Sequence, residues 1–490
     1  MCVGRQGSGA AGLFRSRCAS IHIRLWCVAM WLMHPSRPYA FFFLLFCATG
    51  LLPRAQGSLH NRAMQKPGRM ALIMVLTVVA TFVATMLVLN FSAGEKKMQQ
   101  QLPRLYSAAD PPFQRAMGSL LGPGIVPGNE VRALLNGDEI FPPMLTSIGS
   151  AQRSITFETY IYWSGDIGQK FADALSERAR AGVKVHVLLD WVGSAKIEER
   201  YLQSMATAGV QVRKFHQPKW YDLARLNNRT HRKLLVVDGR TGFTGGVGIA
   251  PLWTGHAQDA DHWRDTHFQV EGPVVAQMQA TFLDNWLKVT GEVMHGDAYF
   301  PALQPAGTLR AQMFSSSPSN GSESMQLMYH IAITAAAKSI DLSVAYFVPD
   351  DLTRQLLFDA LKRGVRVRLI TPGKIIDTEV VRAASRGNWG PLLQAGAEIH
   401  EYQPTMYHCK VMIVDQLMVS VGSTNFDNRS FRLNDEANLN VYDAAFAARQ
   451  TGVFEQDLTQ SRQVTLAQWE ARPMKEKIME RMALLLQSQL

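Results

Sequence analysis

Four landmarks that occur twice, in the same order, constrain this chain more than any other feature. SITFETYIY (154–162), GVKVHVLLD (182–190), AGVQVRKF (208–215) and HRKLLVVD (231–238) in the first half answer to SIDLSVAYF (339–347), GVRVRLIT (364–371), AGAEIHEY (395–402) and HCKVMIVD (408–415) in the second. Corresponding anchors lie 185, 182, 187 and 177 residues apart. A near-constant offset over so long a period signals duplication of a whole domain, not a short solenoid repeat. Each copy alternates β-branched apolar runs with helical patterns, which predicts an α/β domain. Two such domains are expected, at 110–300 and 308–490, with the Pro- and Gly-bearing stretch Gly296–Thr308 between them.

The last landmark carries the chemistry. His231, Lys233 and Asp238 recur as His408, Lys410 and Asp415. In an extended strand, residues i and i+2 share a face, so each His–Lys pair is expected to point into one site ahead of an apolar run that anchors it. Small residues follow both motifs, in FTGGVG (243–248) and VSVGSTN (419–425), and they let a backbone approach a phosphate closely. A single histidine on a strand is most often structural and a single lysine is most often solvated. Two matched copies argue against both of those readings. The Gly run at 245–248 lacks the Gly-Lys-Ser/Thr of a nucleotide-binding loop, and HAQDADH (256–262) lacks the spacing of a zinc protease.

These paired motifs resemble the signature of the phospholipase D superfamily. GSTNFDNRSFRLNDEANL (422–439), NNRTHRKLLVVDG (227–239), LLDWVGS (188–194) and HWRDTHFQVEGP (262–273) resemble its cardiolipin synthase branch, and the likeness spans roughly residues 120–490. The resemblance implies two α/β/α-layered domains that share one active site. It implies transfer of a phosphatidyl group onto phosphatidylglycerol, with His231 as nucleophile forming a phosphohistidine and His408 as general acid, then base. Lys233 and Lys410 would balance charge on the phosphoryl oxygens, so no metal or other cofactor is called for. A nucleophilic imidazole needs an orienting carboxylate, and aligning DTHFQVEG (265–272) with EANLNVYD (436–443) nominates Asp265 and Glu436. Asp238 and Asp415 belong to the catalytic motif but more simply secure the turn after each strand. Ser423 and Asn425 are family-like phosphate contacts, although the first half has Gly246 and Gly248 in their places. Hydrolysis to phosphatidic acid is the alternative reaction, and a phosphodiester nuclease a weaker one.

Charge distribution bears on that choice. The formal charge of +10 comes from 50 Lys and Arg against 40 Asp and Glu, but residues 1–70 hold nine of the basic side chains and no acidic one. The remainder carries 41 against 40, so no nucleic-acid partner is expected for the catalytic part. The five cysteines, at 2, 18, 27, 47 and 409, form neither a disulfide framework nor a zinc pattern.

Residues 71–89 form an uncharged apolar run of 19, predicting a transmembrane helix over 70–91 and residence in the cell (inner) membrane among phospholipid substrates. Residues 1–69 form a basic leader with a weaker apolar run, Tyr39–Leu52, that reads as a second span or a signal-like segment. A start at Met64 or Met70 would leave the leader out of the mature protein. Arg54, Arg62, Lys66 and Arg69 before the span nearly balance Lys96, Lys97 and Arg104 after it, tipping the orientation only slightly toward an outward-facing catalytic part. The helical apolar spacing of Met474–Leu486 predicts a packing helix.

Overall fold

A computed structural model describes residues 67–91, 98, 100–217, 227–318 and 324–490. The leader and its apolar run at 39–52 lie outside the described residues. Pro67–Phe91 is one helix of 25 residues, opening on a proline whose fixed φ suits a first helical turn. Its described apolar side chains, from Leu72 to Val83, are exposed on every side. Among the described side chains no helix is long and apolar enough to cross a membrane, and those at 87–90 lie outside that set.

From Val78 onward the chain forms a single compact unit, built on one mixed sheet of 16 strands among the described residues. Two strands meet at its middle: Val126–Leu135 pairs antiparallel with Leu309–Ser316. Outward from Val126–Leu135 run Thr266–Glu271, Thr241–Gly245, Leu234–Val237, Ser154–Thr159, Lys184–Asp190 and Gln211–Phe215. Outward from Leu309–Ser316 run Asn434–Tyr442, Met418–Gly422, Lys410–Val414, Ser339–Val344, Arg366–Pro372 and Glu398–Tyr402, with Ser461–Val464 as an extra edge strand. The two series match strand for strand, as the repeated landmarks require. Residues 291–308 contain no helix or strand, yet the sheet runs across the two halves without a break.

The motif strands sit at the centre of each series and are buried on both faces. Leu235 and Val237 face a core with Phe157, Phe171 and Phe243, whereas Leu234 and Val236 face another with Phe268 and Met278. In the second half Met412 and Val414 pack with Leu342 and Leu369. On the opposite face Val411 and Ile413 join the same cluster as Leu234 and Val236. Burial on both faces explains why LLVV and VMIV read as unbroken apolar runs. Each such side chain contributes roughly 1.5–3 kcal/mol on leaving water, which fixes the strands that carry the histidines.

Candidate active site

The structure corrects one detail of the motif. His231 and Lys233 precede the strand Leu234–Val237, and His408 precedes Lys410–Val414, so both histidines stand on extended segments at the strand mouths. Those segments pair with the opposite half. Arg229–Thr230 runs parallel to Asn434–Asp435, and the His231 N–H donates to Asp435 O at 2.9 Å. In the same way Tyr407 bridges Arg264, and the His408 N–H donates to Arg264 O at 2.8 Å. In both cases the next residue of the partner segment is a carboxylate.

The outcome is a reciprocal exchange. His231 Nδ1 lies 3.0 Å from Glu436 Oε1 and 3.1 Å from Oε2, and His408 Nδ1 lies 2.7 Å from Asp265 Oδ2. Each imidazole is therefore held by a carboxylate of the other half. An ionised carboxylate only accepts, so each Nδ1 carries the proton and each Nε2 keeps its lone pair when the ring is neutral. Lys233 Nζ donates to His231 O and Lys410 Nζ to His408 O, both at 2.7 Å.

All six groups are buried, and burial sets their protonation. It lowers the His231 pKa to about 4; Glu436 offsets part of this while Lys233 and Lys410 add to it. Burial also brings Lys233 down to about 7, with Glu436 opposing and Lys410 reinforcing. His408 and Lys410 are lowered for the same first reason. Burial disfavours the charged forms of Asp265 and Glu436, but the adjoining His and Lys outweigh it and hold both below the ordinary carboxylate value. Lys410 acts on Lys233, and each lysine feels both carboxylates, so the two halves contribute to one site. Among the described residues, no group of three or more His, Cys, Asp or Glu side chains is arranged to hold a metal ion.

The two carboxylates are supported differently, and this explains the departure at Gly246. Ser423 Oγ donates to Glu436 Oε2 at 2.5 Å and accepts from the Ala437 N–H at 3.0 Å. In this arrangement its hydroxyl proton is directed at Glu436, the carboxylate that holds His231. A Cβ at the equivalent Gly246 would fall 2.2 Å from Asp265 Oδ1, so no serine fits there. Asp265 instead accepts from Trp253 Nε1 at 2.9 Å and from the Thr266 N–H at 2.8 Å. Asn425 is buried as well, and its Oδ1 has no hydrogen-bond partner among the described residues.

Asp238 and Asp415 make backbone contacts at the far ends of the motif strands. Asp238 accepts the N–H groups of Gln152, Arg153 and Ser154 at 2.9, 2.7 and 2.9 Å. Asp415 does the same for Ala337, Lys338 and Ser339 at 2.8, 2.7 and 3.0 Å. Both have left-handed backbones (φ 54 and 53) at the far end of the motif strand, where each fastens the start of a neighbouring strand.

Known proteins share this arrangement of sequence and fold. Residues 144–286 and 329–458 match the family described as "Cardiolipin synthase, PLD-like domain". The chain belongs to that family. It is 37% identical over 334 residues to the cardiolipin synthase A of Pseudomonas fluorescens, covering 68% of this chain and 69% of that one. It is 35% identical over 354 residues to the cardiolipin synthase 2 of Bacillus anthracis, covering 72% and 69%. The fold is similar to that of a phosphatidylserine synthase from Haemophilus influenzae, with a TM-score of 0.58 at 14% identity over 77% of this chain and 99% of that one.

Motif reading missed the aromatic walls. The Tyr160 ring lies 5.2 Å from His231, and Lys233 Nζ lies 5.6 Å from its centre. Trp253 and Trp263 both stand 5.3 Å from His408. None of the three has an aromatic counterpart at the matching offset in the other half, so the duplication could not reveal them. Glu158 is wholly buried, accepting from Thr230 Oγ1 at 2.5 Å and Asn285 Nδ2 at 2.8 Å. Burial, partly offset by Arg232, pushes its pKa up to about 7.

Proposed function

We propose that this protein is a phosphatidyltransferase that makes cardiolipin, moving a phosphatidyl group from a donor phospholipid onto the hydroxyl of phosphatidylglycerol. The observation that carries the reading is the reciprocal pair of carboxylate-held imidazoles. Together they supply a nucleophile and an acid–base group on one phosphorus. Nε2 of His231, neutral and unprotonated, forms a bond to phosphorus while the bond to the departing alkoxide breaks. His408, protonated on both nitrogens, gives the Nε2 proton to that oxygen. In the second half-reaction His408 takes the proton of the incoming hydroxyl. That oxygen displaces His231 from phosphorus, and the enzyme returns to its starting state. Lys233 and Lys410 supply positive charge where the phosphoryl oxygens gather negative charge. Burial lowers the His408 pKa, but an anionic phosphodiester beside it favours the protonated form.

The substrates of a cardiolipin synthase are phospholipids, which supports a membrane location. The helix Pro67–Phe91, apolar on every described side, is assigned as its anchor. The near-neutral catalytic part disfavours a nucleic-acid substrate. The test is to incubate purified protein, in EDTA, with phosphatidylglycerol or mixed phospholipids and identify products by mass spectrometry. Cardiolipin with release of the small alcohol is expected. Phosphatidic acid as the sole lipid product would make the protein a hydrolase instead.

A further inference from the structure

The helix Met474–Leu484 has the opposite orientation to the one its sequence predicts. Its buried residues are Glu480 and Ala483. Met474, Ile478, Met482 and Leu485 are 69%, 55%, 61% and 76% exposed, and Met479 and Leu486 are each 51% exposed. At 100° per residue these six side chains fall on one continuous strip.

Ion pairs cause the inversion. Glu480 meets Arg386 at 3.4 Å and Arg472 at 2.7 Å, and Glu476 meets Arg386 at 3.1 Å. Leu484 closes over Gly387, where a Cβ would lie 2.9 Å from its Cδ1. The charged side of the helix is thus fastened to Glu379–Gly387, and the apolar side faces outward. Val380, on that neighbouring helix, is also exposed. Lys475 and Arg481 stand exposed among and beside the apolar side chains, and the acidic residues of the helix are engaged by Arg386 and Arg472.

We propose that this strip is a docking surface for an anionic lipid bilayer. Apolar side chains that enter the acyl boundary, bordered by cations that meet phosphate, are the chemistry of an interfacial helix. The surface is joined to the site by a short path. After the helix, Gln487 O accepts from Asn428 Nδ2 at 3.0 Å and Leu490 O accepts from the Arg429 N–H at 2.9 Å. Arg429 NH2 also donates to Asn227 O at 2.8 Å, across to the segment that leads into His231. Asn428 itself lies three residues past Asn425. A bilayer held on this strip therefore meets the protein at an element hydrogen-bonded to the segments that flank Asn425 and lead into His231. The role as lipid-delivery surface rests on the phosphatidyltransferase reading; the contact with lipid does not.

The experiment uses the full chain reconstituted in vesicles of phosphatidylglycerol and phosphatidylethanolamine, doped with a phospholipid that carries a photoreactive diazirine in one acyl chain. Adducts are expected on the peptide 474–486. The double variant Ile478→Glu/Met482→Glu should lose those adducts. Its turnover of bilayer lipid should fall by about ten-fold or more, with turnover of dispersed short-chain phosphatidylglycerol kept within about two-fold. Absence of adducts on this peptide of the unaltered protein overturns the proposal. So does an equal loss on both substrate forms by a variant whose circular dichroism is intact. An unaltered protein that transfers nothing in either form defeats the functional reading instead, and the adducts still decide the surface.

Discussion

Nδ1 of His231 lies 3.0 Å from Oε1 of Glu436, a residue 205 positions away in the opposite repeat. Neither half alone contains an oriented nucleophile. The exchange explains why the two repeats share one sheet: the junction of Val126–Leu135 with Leu309–Ser316 holds the register that sets Thr230 beside Asp435 and hence His231 beside Glu436. A slip of one residue there would turn the carboxylate to the other face.

Substituting either histidine by alanine should lower turnover by about three orders of magnitude or more, with the fold intact. The roles separate with an activated leaving group such as nitrophenol. His408→Ala should then still accumulate a covalent phosphatidyl-enzyme with the acid lability of a phosphorus–nitrogen bond, since no proton is needed for departure, and His231→Ala should not. The reverse labelling pattern would exchange the two assignments.

Glu436→Gln and Asp265→Asn test the crossed arrangement. An amide can present its NH2 to Nδ1, placing the ring proton on Nε2 and removing the attacking lone pair. A loss of roughly 10²–10⁴-fold is expected for each with natural lipid. With the activated substrate, Asp265→Asn should keep phosphatidyl-enzyme formation and Glu436→Gln should lose it. Control of each histidine by the carboxylate of its own half would give the opposite result.

The pH profile follows from burial. Lys233 is brought down to about 7, so in the free enzyme its positive charge is present below pH 7 and is lost as pH rises through it. The alkaline limb of kcat/KM should lie near that value. A bound phosphodiester anion favours the ammonium, so the alkaline limb of kcat should lie higher. Lys233→Arg keeps its charge throughout and should change the alkaline limb, leaving only the fall set by loss of the His408 proton, even if the variant is slower. An unchanged limb in that variant would assign the titration to another group.

Asp238→Ala and Asp415→Ala should act on stability and not on chemistry. Each removes an acceptor from three backbone N–H groups and places alanine in a left-handed conformation. The cost is about 2–4 kcal/mol apiece. Asparagine, which tolerates that backbone, should recover part of it. Denaturant unfolding measures the loss, and folded fractions should keep near-normal kcat. A loss of several hundred-fold in kcat with unchanged stability would return the aspartates to the reaction.

The repeat and the two His–Lys pairs were legible because duplication prints each strand twice. The carboxylates were nominated by the same alignment, but their crossing was not, since it arises from the parallel pairing of 229–230 with 434–435 and of Arg264 with Tyr407. Long-range register of that kind leaves no local pattern. Trp253 and Trp263 were hidden because only one half has them. The helix at 474–484 was misjudged because apolar spacing states which side is apolar, not which side is buried. Ion pairs from Arg386 and Arg472 decided the second question.

The anchor provides the last prediction. A chain beginning at Met64 keeps the helix Pro67–Phe91, and one beginning at Pro103 lacks it. The first should remain with membranes through high-salt and alkaline washing, because 19 uncharged apolar residues insert far more firmly than a surface contact. The second should keep its catalytic geometry, since the histidine motifs draw their hydrogen bonds from residues well downstream. Its turnover of bilayer lipid should fall by about ten-fold or more, while turnover of dispersed short-chain lipid changes by less than about two-fold. A shorter chain inactive on both forms would make the segment part of the fold. A chain from Met64 that washes free of membranes would remove the anchor assignment, and the strip at 474–486 would then be left to hold the enzyme to lipid unaided.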